Sequence, residues 1–209
     1  MLAPAADSLS LPRTLSAAAG GVAITFDDGP HPEGTPAVLE LLAGARARAT
    51  FFMVGEQVAR RPALAAEVAA AGHLIGLHGH RHRLQLRLGA RALAEDLQRG
   101  REVIADATGT QPTLHRPPYG IYSPAGLART RTMDMHPLLW SRWGRDWRKF
   151  TTPERIFTRV TRRMGPGDVI LLHDADFYSS RNSHRRTAGA LAMILRELDR
   201  REVATVLPA

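Results

Sequence analysis

Short runs of branched and aromatic apolar residues alternate along this chain with helical patterns, and that alternation limits its fold more than any other feature. The runs fall at Gly21 to Phe26, Ala49 to Gly55, Leu74 to His78, Leu138 to Ser141, Asp168 to His173 and Val203 to Leu207. Helical patterns cover Thr35 to Leu42, Pro62 to Ala71, Arg91 to Ala107, Pro153 to Met164 and Thr187 to Arg200. Several open on Pro or Thr, and Gly44, Gly72 and Gly109 read as C-terminal stops. Regular strand-helix repetition predicts an α/β fold with a mostly parallel sheet, either open or curled into a barrel. Both architectures put functional residues at the C-terminal ends of strands. At 209 residues and 44% hydrophobic the chain can bury a core, and no repeat or linker divides it. The expectation is one domain over residues 21–209, preceded by a loose tail over residues 1–20.

Composition removes whole classes of chemistry. With no cysteine there is no disulfide, thiolate nucleophile or Cys-held metal, so any metal must be held by His, Asp or Glu. Lys149 is the sole lysine and Phe150 follows it, which excludes a phosphate-binding G-K-[ST] loop. No window approaches the roughly 18 to 20 apolar residues of a membrane-spanning helix, so no membrane span is expected. The net charge of +8 could attract an anionic polymer. Its arginines are scattered rather than blocked, and no nucleic-acid partner is expected. Residues 1–20 show no intact secretory signal.

Five clusters carry the chemistry, each where an apolar run gives way to a loop. In Thr25-Phe26-Asp27-Asp28-Gly29-Pro30 two adjacent carboxylates meet a turn. Taken alone this could be an ordinary Asp-Gly turn, but buried together the acids repel unless a cation or proton intervenes. In His78-Gly79-His80-Arg81-His82 the first and last histidines are four residues apart, which is metal-ligand spacing. Joined to an Asp from another strand, they fit a two-His, one-carboxylate site, with Asp28, His78 and His82 favoured and His80 left ambiguous. Arg116-Pro117-Pro118-Tyr119-Gly120 offers a cation to offset the aspartates and a stiff turn able to present a backbone N–H. Asp146-Trp147 and Leu171-Leu172-His173-Asp174 supply a histidine that could deliver a proton and an aspartate that could orient it. Each has an ordinary packing alternative when read alone.

Together these five motifs, in this order, resemble the polysaccharide deacetylases of the NodB-homology or carbohydrate esterase 4 type. The likeness runs from Val22 to Leu207 and includes Ala49 to Gly55 and Gly72 to Gly76. It implies a distorted (β/α) barrel holding one divalent metal through Asp28, His78 and His82, most often zinc, with cobalt, nickel or manganese as alternatives. It implies Asp27 as general base, restrained by Arg116, and His173 as general acid, tuned by Asp146. Tyr119 would supply an oxyanion N–H, while Trp147 and Leu171 would wall the sugar and the acetyl methyl.

The implied reaction removes N-linked acetyl groups from a peptidoglycan- or chitin-type glycan or an aminosugar. An O-acetyl esterase and a non-catalytic carbohydrate-binding relative are the alternatives on this fold. A secreted or wall-facing location follows by family habit, with a cytoplasmic role open because no signal is visible; the oligomeric state is left unknown, with a monomer favoured. The chain departs from the family pattern at Gly79, where Ser or Thr is usual, at Arg83, where Pro is usual, and at Trp143, where an acid is usual. The segment Asp176 to Arg186 follows the acid histidine and is expected either to overhang the cleft or to be an ordinary polar loop.

Overall fold

The computed structural model describes residues 11–208. The strands are β1 (Gly21–Asp27), β2 (Thr50–Met53), β3 (Leu74–Leu77), β4 (Leu114–His115), β5 (His136–Pro137), β6 (Arg142–Trp143), β7 (Val169–His173) and β8 (Ala204–Thr205). They form one sheet in the order β5-β4-β3-β2-β1-β7-β6, with β8 paired to β1 off this path. All these pairings are parallel. The helices are α1 (Gly34–Gly44), α2 (Gly55–Arg60), α3 (Pro62–Ala70), α4 (Ala90–Thr108), α5 (Pro124–Thr132), α6 (Pro153–Thr161) and α7 (Ser183–Arg200).

β1 is buried along its whole length, and its alternation assigns each side chain to a layer. Val22, Ile24 and Phe26 join the main core beneath the helices, packed with Val38, Ile170, Leu172 and Leu191. Ala23 faces the other way, into an inner cluster with Phe52, Leu114, Leu138 and Val169. A sheet with apolar clusters on both faces and two unpaired end strands is a curled half-barrel in a single domain.

Register sets the position of the functional residues. Asp27 pairs with Phe52 on one side and His173 on the other, while Met53 pairs with Leu77 and Leu77 with His115. The C-terminal ends of β1, β7, β3 and β4 therefore lie level along one rim.

The run at 138–141, expected as a strand, passes between β5 and β6 instead. The carbonyls of Leu138 and Leu139 accept from Arg116 Nε and Nη2 at 2.9 and 2.8 Å, so a side chain takes the bonds a neighbouring strand would have made. β4, β5, β6, α2 and α5 were not anticipated. Gly44 lies inside α1, whose cap is Ala45, whereas Gly109 does end α4 with a left-handed φ of 70°. Residues 11–20 are not loose. Leu11 packs with Tyr122, Leu127 and Leu139, and Leu15 N donates to Gly167 O at 2.8 Å. Residues 1–10 of the expected tail lie outside the described residues.

Candidate active site

The two adjacent carboxylates at the end of β1 point to different partners. Asp27 Oδ1 accepts from Arg116 Nη1 at 2.7 Å. That guanidinium is fully buried, also donates to Thr25 Oγ1 at 2.8 Å, and lies 4.0 Å from the centre of the Phe52 ring. Asp28 has a φ of 83°, an uncommon conformation for a residue with a side chain. Gly29 follows because a Cβ there would strike the buried Asp174 carboxylate.

Asp28 Oδ1 stands 3.5 Å from His78 Nε2 and 3.3 Å from His82 Nε2, and it makes no hydrogen bond among the described residues. His78 Nδ1 donates to the Arg116 carbonyl at 2.7 Å, which leaves Nε2 as the nitrogen that faces Asp28. Burial pushes His82 down to about 4, leaving its ring neutral at pH 7. Burial alone would raise Asp28, but the His78 ring 3.5 Å away and the charge on His173 outweigh it and hold Asp28 at about 2. One carboxylate oxygen and two imidazole nitrogens, with that oxygen orphaned in a buried site, suit a divalent cation such as zinc. Ligand atoms about 2.1 Å from one ion stand about 3.4 Å apart at the tetrahedral angle.

His80 does not join this group. Its ring packs against Gly55, and its backbone N–H donates to Asp96 Oδ2 at 2.9 Å.

Across the rim, His173 ends β7. Its Nδ1 donates to Asp146 Oδ1 at 2.8 Å, and its own backbone N–H donates to Asp146 Oδ2 at 2.7 Å. Thr187 Oγ1 completes the buried Asp146 at 2.8 Å. Burial alone would lower His173, but the Asp146 carboxylate, with Asp28 and Asp27 behind it, lifts it to about 10. The ring is thus protonated on both nitrogens at neutral pH.

Asp27, Asp28, His78, His82 and His173 line one cleft of about 340 Å³, together with Tyr119, Trp147 and Leu171. Arg116 and Asp146 stand behind it, each in contact with a lining residue. Tyr119 has a φ of 62°, and its amide belongs to the first turn of a short helix (Pro118–Gly120), where N–H groups lack an intrahelical acceptor.

Sequence reasoning did not assign two aromatic walls of the cleft, Trp140 and Trp143, whereas Tyr178 lies in the segment expected to overhang it. Trp140 and Trp143 precede Asp146-Trp147 closely, and that density of indoles in one loop was the available signal. Tyr178 lies in the segment after His173. Its ring stacks on His82 with centroids 4.1 Å apart and planes 9° apart, while its hydroxyl donates to Glu56 Oε1 at 2.9 Å. The 176–186 segment therefore reaches the cleft.

The base of that segment is held by a second His/Asp group: His31, Asp176 and His184. His31 Nδ1 accepts from the backbone N–H groups of Glu33 and Gly34 at 3.2 and 2.9 Å. Its proton is therefore on Nε2, 3.2 Å from Asp176 Oδ1, and that nitrogen has no lone pair to offer a metal. This group packs at the base of the segment, with His184 Nδ1 3.4 Å from Asp176 Oδ2 and both His184 ring nitrogens without a hydrogen-bond partner among the described residues.

The family model for polysaccharide deacetylases matches residues 16–138, more than half of the chain. The chain belongs to the polysaccharide deacetylase family. It is 38% identical over 179 residues to a peptidoglycan-N-acetylglucosamine deacetylase of Bacillus cereus, covering 85% of this chain and 81% of that one. A chitooligosaccharide deacetylase of Rhizobium leguminosarum bv. trifolii is 34% identical over 151 residues, covering 72% of this chain and 70% of the relative. The solved Bc1960 peptidoglycan N-acetylglucosamine deacetylase superposes with a TM-score of 0.88 at 26% identity, over 96% of this chain and 92% of that one. The half-barrel described above is thus the deacetylase family's fold.

Proposed function

We propose that this protein hydrolyses N-linked acetyl groups on an acetylated glycan or aminosugar. The observation that carries this reading is the clustering of Asp28, His78 and His82, a group able to hold a cation, between the Asp27 carboxylate and the His173 imidazole in one cleft. A divalent cation bound there would polarise the acetyl carbonyl and acidify a water, whose ordinary pKa of about 15.7 makes it a poor nucleophile.

Asp27 serves as base. Arg116 occupies Oδ1, which leaves Oδ2, 3.8 Å from His78 Nε2, to take the proton of the water that attacks the carbonyl carbon. The Tyr119 N–H donates to the oxyanion that forms. When the C–N bond breaks, His173 gives its Nε2 proton to the departing nitrogen, and Asp146 stabilises the ring through Nδ1 in both protonation states. Acetate and a free amine leave. The indoles of Trp140, Trp143 and Trp147 offer flat apolar faces for a sugar ring, and Leu171 packs beside the acetyl methyl.

The test is acetate release from N-acetylglucosamine oligomers by chelator-stripped protein, before and after zinc, cobalt, nickel or manganese is added singly. Release restored by a metal is the expected result. No release with metal demonstrably bound, or release from acetylated xylan instead, would overturn the reading.

A further inference from the structure

A second groove of about 650 Å³ opens beside the catalytic cleft, and His82 and Tyr119 line both. Its own side chains are Arg83 and Arg87 with Leu84, Leu88 and Ile121, and no carboxylate lines it. Among the described residues neither arginine enters an ion pair, although Arg91, Arg116, Arg142, Arg185, Arg200 and Arg201 all do.

The groove is built rather than incidental. Buried Gln85 lies between the two arginines in sequence, and its Oε1 accepts from Ser123 N at 3.2 Å. Arg87 N and Leu88 N close a tight turn on Leu84 O and Gln85 O at 3.0 and 3.1 Å. Gln85 thereby ties the arginine-bearing turn to the loop that carries Tyr119 and Ile121. Two unpaired guanidiniums over an apolar floor match one kind of ligand: a sugar with an apolar ring face and a carboxylate to receive the forks. The volume is in the range of small-molecule sites.

We propose that this groove is a subsite for a carboxylate on the sugar next to the one being deacetylated, bound by Arg83 and Arg87. The proposal rests on the glycan reading above and narrows it to an anionic chain, such as one whose alternate sugars bear lactyl ether carboxylates. The net charge of +8 would steer such a chain toward the cleft.

The experiment uses two matched tetrasaccharides of alternating N-acetylglucosamine and N-acetylmuramic acid, one with free lactyl carboxylates and one with them capped as methylamides. Both kcat/KM for acetate release and Kd by calorimetry are measured. Wild-type protein is expected to favour the free acid by about 5- to 10-fold, the scale of two partly exposed charge pairs. The preference should fall toward one in the Arg83→Gln/Arg87→Gln variant and at high salt. It should persist in Arg155→Gln/Arg162→Gln, which removes two charges from the surface of α6 and its cap.

A wild-type ratio near one in both measurements, a ratio that survives the groove variant, or one lost equally in the α6 variant overturns the subsite. If neither chain releases acetate but binding still prefers the carboxylate through Arg83 and Arg87, the deacetylase reading falls and the subsite stands.

Discussion

Adjacent carboxylates at a buried strand end repel, and Asp27 and Asp28 divide their partners: Asp27 pairs with the Arg116 guanidinium, while Asp28 faces the His78 and His82 rings with which it could share a cation. That division predicts different consequences for neighbouring substitutions. Asp27→Asn keeps an oxygen for Arg116, so the fold and metal affinity should hold while kcat drops about 10²- to 10⁴-fold, the usual scale of general-base catalysis. His78→Ala should instead abolish stoichiometric metal, read by elemental analysis after dialysis. An Asp27→Asn protein with most of its turnover intact would remove that residue from the base's role. His82 raises a further point, because its Nδ1 has no hydrogen-bond partner among the described residues. Metal-ligating imidazoles ordinarily donate through the second nitrogen, so the Tyr178 stack stands in as the orienting contact here. Tyr178→Ala should weaken zinc about 10-fold in competition with a chromophoric chelator, and Tyr178→Phe much less. Equal effects in both variants would assign the role to the hydroxyl instead.

At the scale of elements, one side chain ties strands that are far apart in sequence. Arg116, just past β4, binds Asp27 and Thr25 on β1 and the carbonyls that close the gap between β5 and β6. Replacing it with Met leaves Asp27 charged and buried with its counter-ion gone. Breaking a buried pair in this way costs about 3–5 kcal/mol, and urea denaturation should show a loss of that size. A loss under about 1 kcal/mol would mean that the network contributes little to holding the rim together. The same residue explains why the sequence misleads between 136 and 143. Leu138 to Ser141 has strand-like side chains, but the carbonyls of Leu138 and Leu139 are taken by a guanidinium 22 residues upstream of Leu138. β1 and β7 were legible because long apolar runs leave their backbone little choice, whereas the two-residue β4, β5 and β6 carry no period to detect. Polar residues at the ends of readable runs gave Asp27, Asp28, His78 and His173. Trp140 and Trp143 were not assigned to the site because they contribute surface shape, which depends on how loops fold over the rim.

For the whole molecule, the site's charges should be visible in stability as well as in turnover. His173 binds its proton more tightly when folded, at about 10 against an ordinary 6.5. In metal-free protein the folded state therefore holds more protons between those values. That contribution is complete below about pH 6.5 and is lost as pH rises toward 10. Asp146→Asn should flatten that decline in urea midpoints measured from pH 6 to 10, and an unchanged slope would place its origin elsewhere. Metal acts on the same equilibrium from the other side. Asp28 comes from the end of β1, and His78 and His82 from the loop after β3, so an ion held by all three joins segments that the unfolded chain leaves about 50 residues apart. A ligand that binds only the folded state adds about 2.7 kcal/mol at 100 times its Kd. In a domain of this size each kcal/mol is worth roughly 2–4 °C. Zinc at that excess should therefore raise the Tm of the stripped protein by about 5–10 °C, and a chelator should reverse the shift. The rise should vanish in His78→Ala yet survive in Asp27→Asn, because Asp27 is bound to Arg116 and is not among the three ligands. A zinc-dependent rise that persists in His78→Ala would locate the ion at another site.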